Sequence, residues 1–194
     1  NAGKPMKVTK SYDERHAEIL EISLQLFIKN GMKETTVNDI VKAVNIAKGT
    51  FYHYFESKDD LILMLRANYM RGFLALTADY IAQCKSSDWH GKIHAWCMGS
   101  IQHYYDHKAE HDALFHQNHH VEDRQDRTTI VRFLESLIIE GNEVEAWQVG
   151  SPDLAALLIY HGMHLALDEC RNDDFDSLKQ IAERFYQLFI KMLS

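Results

Sequence analysis

Apolar positions near the start of the chain recur at the three- and four-residue spacing of helices. A first helix is predicted to begin after Ser11, because Ser11 and Glu14 have the S-x-x-E form of a capping box. It is predicted to end at Asn30-Gly31, since glycine readily adopts the left-handed conformation that closes a helix. The buried stripe of this helix is predicted to comprise Ile19, Ile22, Ser23, Leu26 and Phe27.

Two short helices, separated by a tight turn, are predicted next. Thr36 is expected to cap the first of them, with Asp39 three residues later, and Asn45 is expected to end it. The second runs from Lys48 to Tyr54, and a longer helix begins near Lys58. Their predicted inward positions are Val37, Ile40, Val41 and Val44, then Phe51 and Phe55. Two short helices braced by a longer helix on each side are typical of a helix-turn-helix domain.

The helix from Lys48 to Tyr54 is the one that we predict reads DNA. Its outward positions are Lys48, Gly49, Thr50, Tyr52 and His53. This set is rich in hydrogen-bond donors and poor in acidic groups, and Gly49 would let the backbone approach DNA closely. A role in the core explains Phe51 and Phe55 but not the exposed positions of the other aromatic rings.

The rest of the chain also has helical periodicity and little punctuation, with two prolines and nine glycines in 194 residues. Further helices are predicted from Lys58 to about Cys84, from near Trp89, from Arg124 to Glu140, from Pro152 to about Arg171 and from Asp174 to Leu193. A polar stretch from His103 to His120, which ends in a loop at residues 117–120, and a connection at residues 141–150 are predicted between them. The predicted fold class is therefore all-α.

The net charge of −7 is unevenly distributed. Residues 1–60 contain nine Lys/Arg and nine Asp/Glu residues, so the excess of negative charge lies in residues 61–194. Attraction to DNA phosphates must therefore come from a local patch, because the chain as a whole would repel DNA. Lys4, Lys7 and Lys10 either supply part of this patch or form a solvated tail.

The composition also predicts a compartment. No apolar run in the sequence approaches the roughly 20 residues needed to cross a bilayer. The polar first residues do not have the pattern of a signal peptide. The three cysteines, Cys84, Cys97 and Cys170, lack metal-type spacing and indicate free thiols in a reducing environment. We therefore expect a cytoplasmic protein that makes no contact with membranes.

A resemblance to a known family becomes specific in residues 19–65, ILEISLQLFIKNGMKETTVNDIVKAVNIAKGTFYHYFESKDDLILML. This stretch resembles the DNA-binding domain of the TetR family of transcriptional regulators. The motifs that carry the resemblance are Leu26-Phe27, Gly31, Thr35–Val37, Ile40, KGTFYHYF at Lys48–Phe55 and SKDDL at Ser57–Leu61. It implies an N-terminal three-helix DNA-binding domain at residues 10–57 and a C-terminal helical ligand-binding and dimerisation domain at residues 58–194.

The resemblance also implies roles for individual residues. Thr36 and Lys58 would contact phosphates, through a helix N-terminus and through side chains. Thr50 and Tyr52 would reach base edges or the backbone beside them, and His53 would hold phosphate. Such phosphate contacts set the register on DNA, while the base-edge contacts specify the sequence.

The chain departs from the family pattern at one turn. Where the family usually has Gly-Val-Ser or Gly-Val-Thr, this chain has Asn45-Ile46-Ala47. Ala47 falls at the predicted N-cap of the reading helix, so a side-chain cap and a hydroxyl that often touches phosphate are both missing.

The resemblance further implies a homodimer formed by the last two helices of each subunit, whose two heads read a palindromic operator in double-stranded DNA. That surface would draw on Leu154, Leu158, Leu165, Leu178, Ile181, Phe185, Leu188, Phe189 and Met192, although an intramolecular core also explains these residues. The function implied is regulation, with repression relieved by a small organic effector and with no cofactor. Candidate pocket residues, each also explained as ordinary core, are Trp96, Tyr104, Phe115, Trp147, Tyr160, His161 and His164.

Twelve histidines suggest one further alternative. His103, His107 and His111 repeat every four residues and are predicted to share a helix face, where zinc would make the protein a metal-responsive regulator. Ordinary surface or pocket histidines are the other interpretation. A zinc-dependent enzyme is not predicted, because H-E-x-x-H and G-x-S-x-G are absent from the sequence. A redox regulator would need an activated cysteine, and few basic residues lie near the cysteines in the sequence.

Overall fold

The structure, a computed structural model, describes residues 10–116, 125–169 and 174–193. Helices cover most of these residues, and none of the described residues lies in a β-strand. The helices are α1 (Tyr12–Asn30), α2 (Val37–Val44), α3 (Lys48–Tyr54), α4 (Lys58–Ala82), α5 (Trp89–Asp106), α6 (Lys108–Phe115), α7 (Gln125–Glu143), α8 (Pro152–Asp168) and α9 (Phe175–Leu193). The predicted all-α fold is confirmed. Within the described ranges, no helix is long and apolar enough to cross a membrane.

The described residues divide into two compact units. Those up to Leu65, together with residues 109–116, form the first, which we call the head unit. Residues 66–108, 125–169 and 174–193 form the second, the body unit. The division concerns packing and falls within α4, whereas the functional boundary after residue 57 stays a prediction.

The ends of α1 are determined by groups a few residues away. The Ser11 hydroxyl accepts a hydrogen bond from the backbone N–H of Glu14 (3.2 Å), and Glu14 Oε2 accepts one from the Ser11 N–H (2.7 Å). Gly31 closes the helix with a φ of 92°, and its N–H donates to the Phe27 carbonyl (2.9 Å). The predicted start and end of α1 are therefore confirmed, because local partners decide both.

Helices α2 and α3 form the predicted helix-turn-helix. A second capping box begins α2: Asp39 Oδ2 accepts from the Thr36 N–H (2.9 Å), and the Thr36 hydroxyl accepts from the Asp39 N–H (3.2 Å). Asn45 ends α2 in the left-handed conformation, with φ 58° and ψ 51°. Ala47 lies at the N-cap of α3 and makes no side-chain hydrogen bond there, as its residue type predicts.

The core of the head unit joins α1, α2, α3 and the first turns of α4. Its fully buried side chains include Ile19, Phe27, Met32, Ile40, Phe51, Phe55, Leu61 and Ile62. Ile22 and Leu26, which the sequence also assigns to the buried stripe of α1, are half-buried. Helix α3 is thus anchored in the core by Phe51 and by Phe55, the residue that follows its last turn.

The body unit is built from pairs of long helices. Helix α7 packs along α8, α5 along α9, and α8 against α9. Its fully buried side chains include Ile93, Trp96, Cys97, Ile101, Leu134, Ile138 and Ile159. Helices α4 and α5 approach closely at Gly99, where an added Cβ would lie 3.0 Å from the Cα of Thr77.

The connection predicted at residues 141–150 differs from the structure, because α7 continues to Glu143. Gly141 is a packing residue rather than a helix breaker: a Cβ there would lie 2.1 Å from the Trp147 ring. Trp147 Nε1 donates to the Ile138 carbonyl (2.8 Å), and the Asn142 side chain makes two hydrogen bonds of 2.9 Å with the Val149 backbone. The glycine therefore makes room for a tryptophan that covers the end of the helix.

Other boundaries differ by less. Helix α4 ends at Ala82 rather than near Cys84, and α8 ends at Asp168 rather than near Arg171. The stretch that the sequence predicts to be polar contains α6 (Lys108–Phe115), which has three buried residues, His111, Ala113 and Leu114. The loop predicted at residues 117–120 and the helix start predicted at Arg124 lie outside the described residues.

Candidate functional site

Helix α3 presents its polar residues on the side away from the core. Phe51 and Phe55 are 0% and 1% exposed, whereas Tyr52 is 50% exposed. Lys48, Gly49 and His53 are also exposed, and Thr50 is half-buried. A Cβ at Gly49 would meet nothing within 4 Å, so the backbone at this position faces open space. The predicted reading surface is thus a row of donors around one exposed tyrosine.

An aromatic cluster holds the end of α3 against α1. Tyr12 stacks on Tyr54 at 4.6 Å between ring centroids and meets the His53 ring edge-on at 6.0 Å. His16 stacks on Phe55 at 4.9 Å. Sequence reasoning overlooked Tyr12 and His16, although their four-residue spacing at the start of α1 places both on one helix face. Because Tyr12 is 53% exposed, it extends the surface of α3 beyond the helix itself.

Lys58 has acceptors inside the head unit. Its Nζ donates to the carbonyls of Met32 (2.7 Å) and Thr35 (2.8 Å), which lie in the turn between α1 and α2. An ammonium group has three N–H bonds, so one remains for another acceptor. Lys58 therefore ties the start of α4 to the start of α2, a positioning role that the sequence did not indicate.

Thr36 is likewise committed to a local contact. Its hydroxyl donates to Asp39 Oδ2 (2.6 Å). Hydrogen bonds from the Thr36 side chain and backbone lower the pKa of Asp39, so this carboxylate stays charged at the start of α2. The hydroxyl and the backbone N–H of Thr36 thus both donate to Asp39.

The residues predicted to line an effector pocket lie in several places. Trp147, which is 4% exposed, meets the rings of Trp89 and His90 at the end of α7. On α8, buried Tyr160 contacts the rings of exposed His161 and half-buried His164. Phe115 lies on α6 in the head unit, and Tyr104 is buried on α5.

Trp96, another of the predicted pocket residues, shares a neighbour with His103, because both side chains contact Phe73. The ring of Phe73 on α4 lies 6.3 Å from that of Trp96 and 5.7 Å from that of His103, nearly edge-on to both. Burial, with a smaller contribution from nearby His107, lowers the pKa of His103 to about 4, so the imidazole is neutral at pH 7.

The predicted metal-binding arrangement requires a correction. His103, His107 and His111 do not share one helix, because α5 ends at Asp106 and α6 begins at Lys108. A different group gathers ligand atoms within 4.8 Å of one another: His111, Asp112 and His116. Asp112 Oδ1 lies 3.6 Å from His111 Nδ1 and 3.5 Å from His116 Nδ1. The periodic spacing of the histidines did not indicate this group, which includes the aspartate next to His111.

The described cysteines do not have the chemistry of redox sensors. Burial raises the pKa of Cys84, and Asp88 adds to this effect. Burial also raises the pKa of Cys97, with a smaller contribution from Glu183. A sensing thiol needs a lowered pKa, and neither residue has one. Cys170 lies outside the described residues.

Comparison with known sequences identifies the head. Residues 19–65 match the family model described as bacterial regulatory proteins, tetR family. The chain is also similar to the HTH-type transcriptional repressor KstR2 of Rhodococcus jostii (strain RHA1), with 37% identity over 70 residues. That match covers 36% of this chain and 32% of the relative, so it spans about a third of the relative's length.

Comparison with solved structures extends over the whole chain. A TetR-family transcriptional regulator from Syntrophomonas wolfei superposes with a TM-score of 0.78 at 16% identity, covering 95% of this chain and 98% of that chain. The ketosteroid transcriptional regulator KstR2 of Mycobacterium tuberculosis superposes with a TM-score of 0.63 at 17% identity, covering 97% and 99%. At these identities the likeness establishes the fold, a helix-turn-helix domain followed by a helical domain. Members of the family are DNA-binding transcription regulators and not enzymes. Residues 19–65 thus match the DNA-binding domain of the tetR family of bacterial regulatory proteins, and the chain shares the fold of solved TetR-family regulators.

Proposed function

We propose that this protein is a transcriptional repressor that binds a palindromic operator as a homodimer and is released by a small organic molecule. One observation carries the proposal: α3 follows a tight turn, buries Phe51 and Phe55, and holds Tyr52 half exposed among donors. A short helix with this surface fits the major groove, where donors and apolar groups read base edges. The proposed domains are residues 10–57 for DNA binding and 58–194 for ligand binding and dimerisation.

We assign a separate role to each part of the DNA-binding surface. Thr50 and Tyr52 contact base edges or the adjacent backbone, and Gly49 allows close approach because its surroundings are open. The contacts to phosphate come from Lys48, His53, the first turn of α2 at Thr36, and the remaining N–H of Lys58. Phosphate contacts of this kind strengthen binding to all sequences, whereas loss of a base-edge contact removes discrimination.

The dimer is proposed to form through α8 and α9. These helices expose large apolar side chains, which include Leu154 (52%), Leu158 (53%), Leu165 (62%) and Leu188 (60%). Clustered apolar surface of this kind is unfavourable in water and marks an interaction site. Two subunits joined there would present two copies of α3, which suits a palindromic DNA site.

Substitution of Tyr52 tests DNA recognition. The operator would be obtained by selecting tight binders from random duplexes, and affinity would be measured by fluorescence anisotropy on specific and scrambled DNA. We expect Tyr52→Ala to weaken specific binding about tenfold or more, while non-specific binding changes by less than about twofold. Tyr105→Ala, which removes an exposed tyrosine from α5, serves as the control and should leave both affinities unchanged. Equal losses on both DNAs would contradict the assigned role of Tyr52.

A metal-responsive regulator is the second candidate, and the His111, Asp112 and His116 group favours it. Tetrahedral zinc with bonds of about 2.0–2.1 Å places its ligand atoms about 3.4 Å apart. The distances of 3.6 and 3.5 Å from Asp112 Oδ1 to the two imidazole nitrogens are close to that value. Three protein ligands would leave a fourth position for water.

Zinc loading tests this second candidate. The purified protein would be loaded, desalted and analysed by mass spectrometry, and operator affinity would be measured with and without zinc. A metal-responsive regulator should retain about one zinc per subunit. It should lose that zinc in His116→Ala, where the side chain is 39% exposed, but not in the control His90→Ala. Equal retention by both variants, or operator affinity that ignores zinc, would reject it.

A further inference from the structure

Helix α5 carries two buried polar atoms that have no hydrogen-bond partner. Trp96 is 1% exposed and His103 is 3% exposed. Among the described residues, Trp96 Nε1 and His103 Nε2 are both sealed from solvent without a partner. Buried polar groups in folded proteins nearly always have partners, because an unmade bond costs the full desolvation of the group. Two such atoms two turns apart on one helix therefore indicate that something completes them.

The surroundings of these two atoms are aromatic. Phe73 on α4 lies near both rings, and Tyr69, one turn earlier, lies 4.6 Å from the His103 ring. Gly72 faces the imidazole, and a Cβ there would lie 3.1 Å from His103 Cε1. The side chains around the two nitrogens are therefore mainly aromatic rings, which offer faces and edges to a bound molecule.

The chemistry of the two nitrogens is complementary. An indole Nε1–H is a donor and never an acceptor. The His103 ring hydrogen-bonds the Tyr69 backbone, and because Nε2 has no partner, Nδ1 donates that bond. In the neutral imidazole Nε2 is then an acceptor. The two side chains therefore offer one donor and one acceptor among aromatic rings.

We infer that Trp96 and His103 are the polar contacts of the effector, and that they select an uncharged ring compound bearing a hydroxyl group. This assignment rests on the proposed function, in which an organic molecule binds the body. A hydroxyl both accepts and donates, so it can satisfy Trp96 Nε1–H, His103 Nε2, or both through separate groups. A carboxylate lacks a donor for Nε2, and burying its charge beside a neutral imidazole is unfavourable.

Calorimetric titration with two matched probes tests the selectivity. The probes are 2-naphthol and 2-naphthoate, which share a ring system and differ in the polar group. The intact protein should bind 2-naphthol at least about fivefold more tightly than 2-naphthoate, the value expected for one hydrogen bond. Binding of 2-naphthoate with equal or higher affinity, or no binding of 2-naphthol, would overturn the assignment.

Substitutions locate the contacts. Trp96→Phe keeps a ring but removes the donor, so 2-naphthol should bind about fivefold more weakly. The control Trp89→Phe alters a half-buried tryptophan on the same helix and should bind as before. His103→Leu should lose a similar factor, whereas His103→Gln, whose amide can reach the Nε2 position, should retain the affinity. If His103→Leu does not fold, the comparison of Trp96→Phe with Trp89→Phe tests the inference. Equal affinities of these two variants for 2-naphthol would refute it.

Operator binding separates this inference from the proposed function. Each variant would also be titrated with operator DNA in the absence of probe. If the protein binds operator normally but Trp96→Phe does not change its affinity for 2-naphthol, the effector site is refuted and the proposed function is not. If Trp96→Phe weakens 2-naphthol binding but the protein binds no operator, the proposed repressor function is refuted and the effector site is still supported.

Discussion

The two units differ in how they satisfy their polar groups. In the head unit, both capping boxes close within a few residues, and the Lys58 ammonium donates to two carbonyls. The buried hydroxyl of Ser23 is an exception there. In the body unit, buried Trp96 Nε1 and His103 Nε2 have no hydrogen-bond partner in the described part of the chain.

The exposed apolar side chains show the same contrast. The large ones that the head unit exposes are tyrosines, Tyr12 and Tyr52, which carry a polar hydroxyl. The body unit exposes leucines on α8 and α9, of which Leu165 is the most exposed at 62%. The head unit therefore exposes polar groups on the surface that we propose contacts DNA. Among its described residues, the body unit has unpartnered polar atoms inside and exposed leucines at its surface, and both features are typical of a unit that binds other molecules.

The largest effect is expected from a substitution that disrupts the proposed dimer. Leu165→Glu places a charge on α8 where two subunits are proposed to meet, and burying an unpaired charge costs about 3 kcal/mol or more. We expect a monomer in analytical ultracentrifugation and operator affinity lower by about a hundredfold or more. The control is Val144→Glu, at a valine that follows α7 and is 54% exposed. A dimeric Leu165→Glu protein would show that α8 is not the interface.

A smaller effect tests the internal bonding of the head. Lys58→Met keeps the aliphatic stem but removes two hydrogen bonds to carbonyls, and it should lower the free energy of unfolding by about 2 kcal/mol. Urea denaturation would measure this loss, with exposed Lys29→Met as the control. If the third N–H also contacts phosphate, the dependence of log affinity on log salt concentration should flatten by about one unit. An unchanged slope would restrict Lys58 to its positioning role.

The smallest effect repairs the missing cap of α3. Ala47→Ser adds a hydroxyl that can accept from the first turn, which should raise the free energy of unfolding by about 1 kcal/mol. Affinity should rise on specific and non-specific DNA alike, because the hydroxyl also lies near the proposed phosphate contacts. Ala43→Ser, at an exposed position inside α2, is the control and should give no gain. A destabilised Ala47→Ser protein would show that the cap lies elsewhere.

The head was largely predictable because its signals are local. Serine, threonine, glycine and asparagine at the helix ends act on partners within four residues, so reading the chain in order recovers α1, α2 and α3. The exposed positions of α3 follow from the helical period once Phe51 and Phe55 are placed inside. DNA contacts at these positions stay a prediction.

The body was less predictable because its boundaries depend on distant packing. Gly141 has the residue type of a helix breaker, but it lies within α7. The Trp147 ring occupies the space beside it, which a larger side chain would fill. The proposed zinc ligands illustrate the same limit. A period of four residues grouped His103 with His111, but the break at His107 placed them on different helices.

The sequence by itself thus determined the fold class and the helix-turn-helix, since caps and periodicity act over a few residues, and its motifs indicated the resemblance of residues 19–65 to the TetR DNA-binding domain. Tertiary structure decided what each polar group meets. It brought the Lys58 ammonium to carbonyls 26 and 23 residues away, and among the described residues it left Trp96 Nε1 and His103 Nε2 buried without a hydrogen-bond partner. Whether a buried donor is satisfied depends on side chains from other helices, and no local pattern in the sequence encodes their approach.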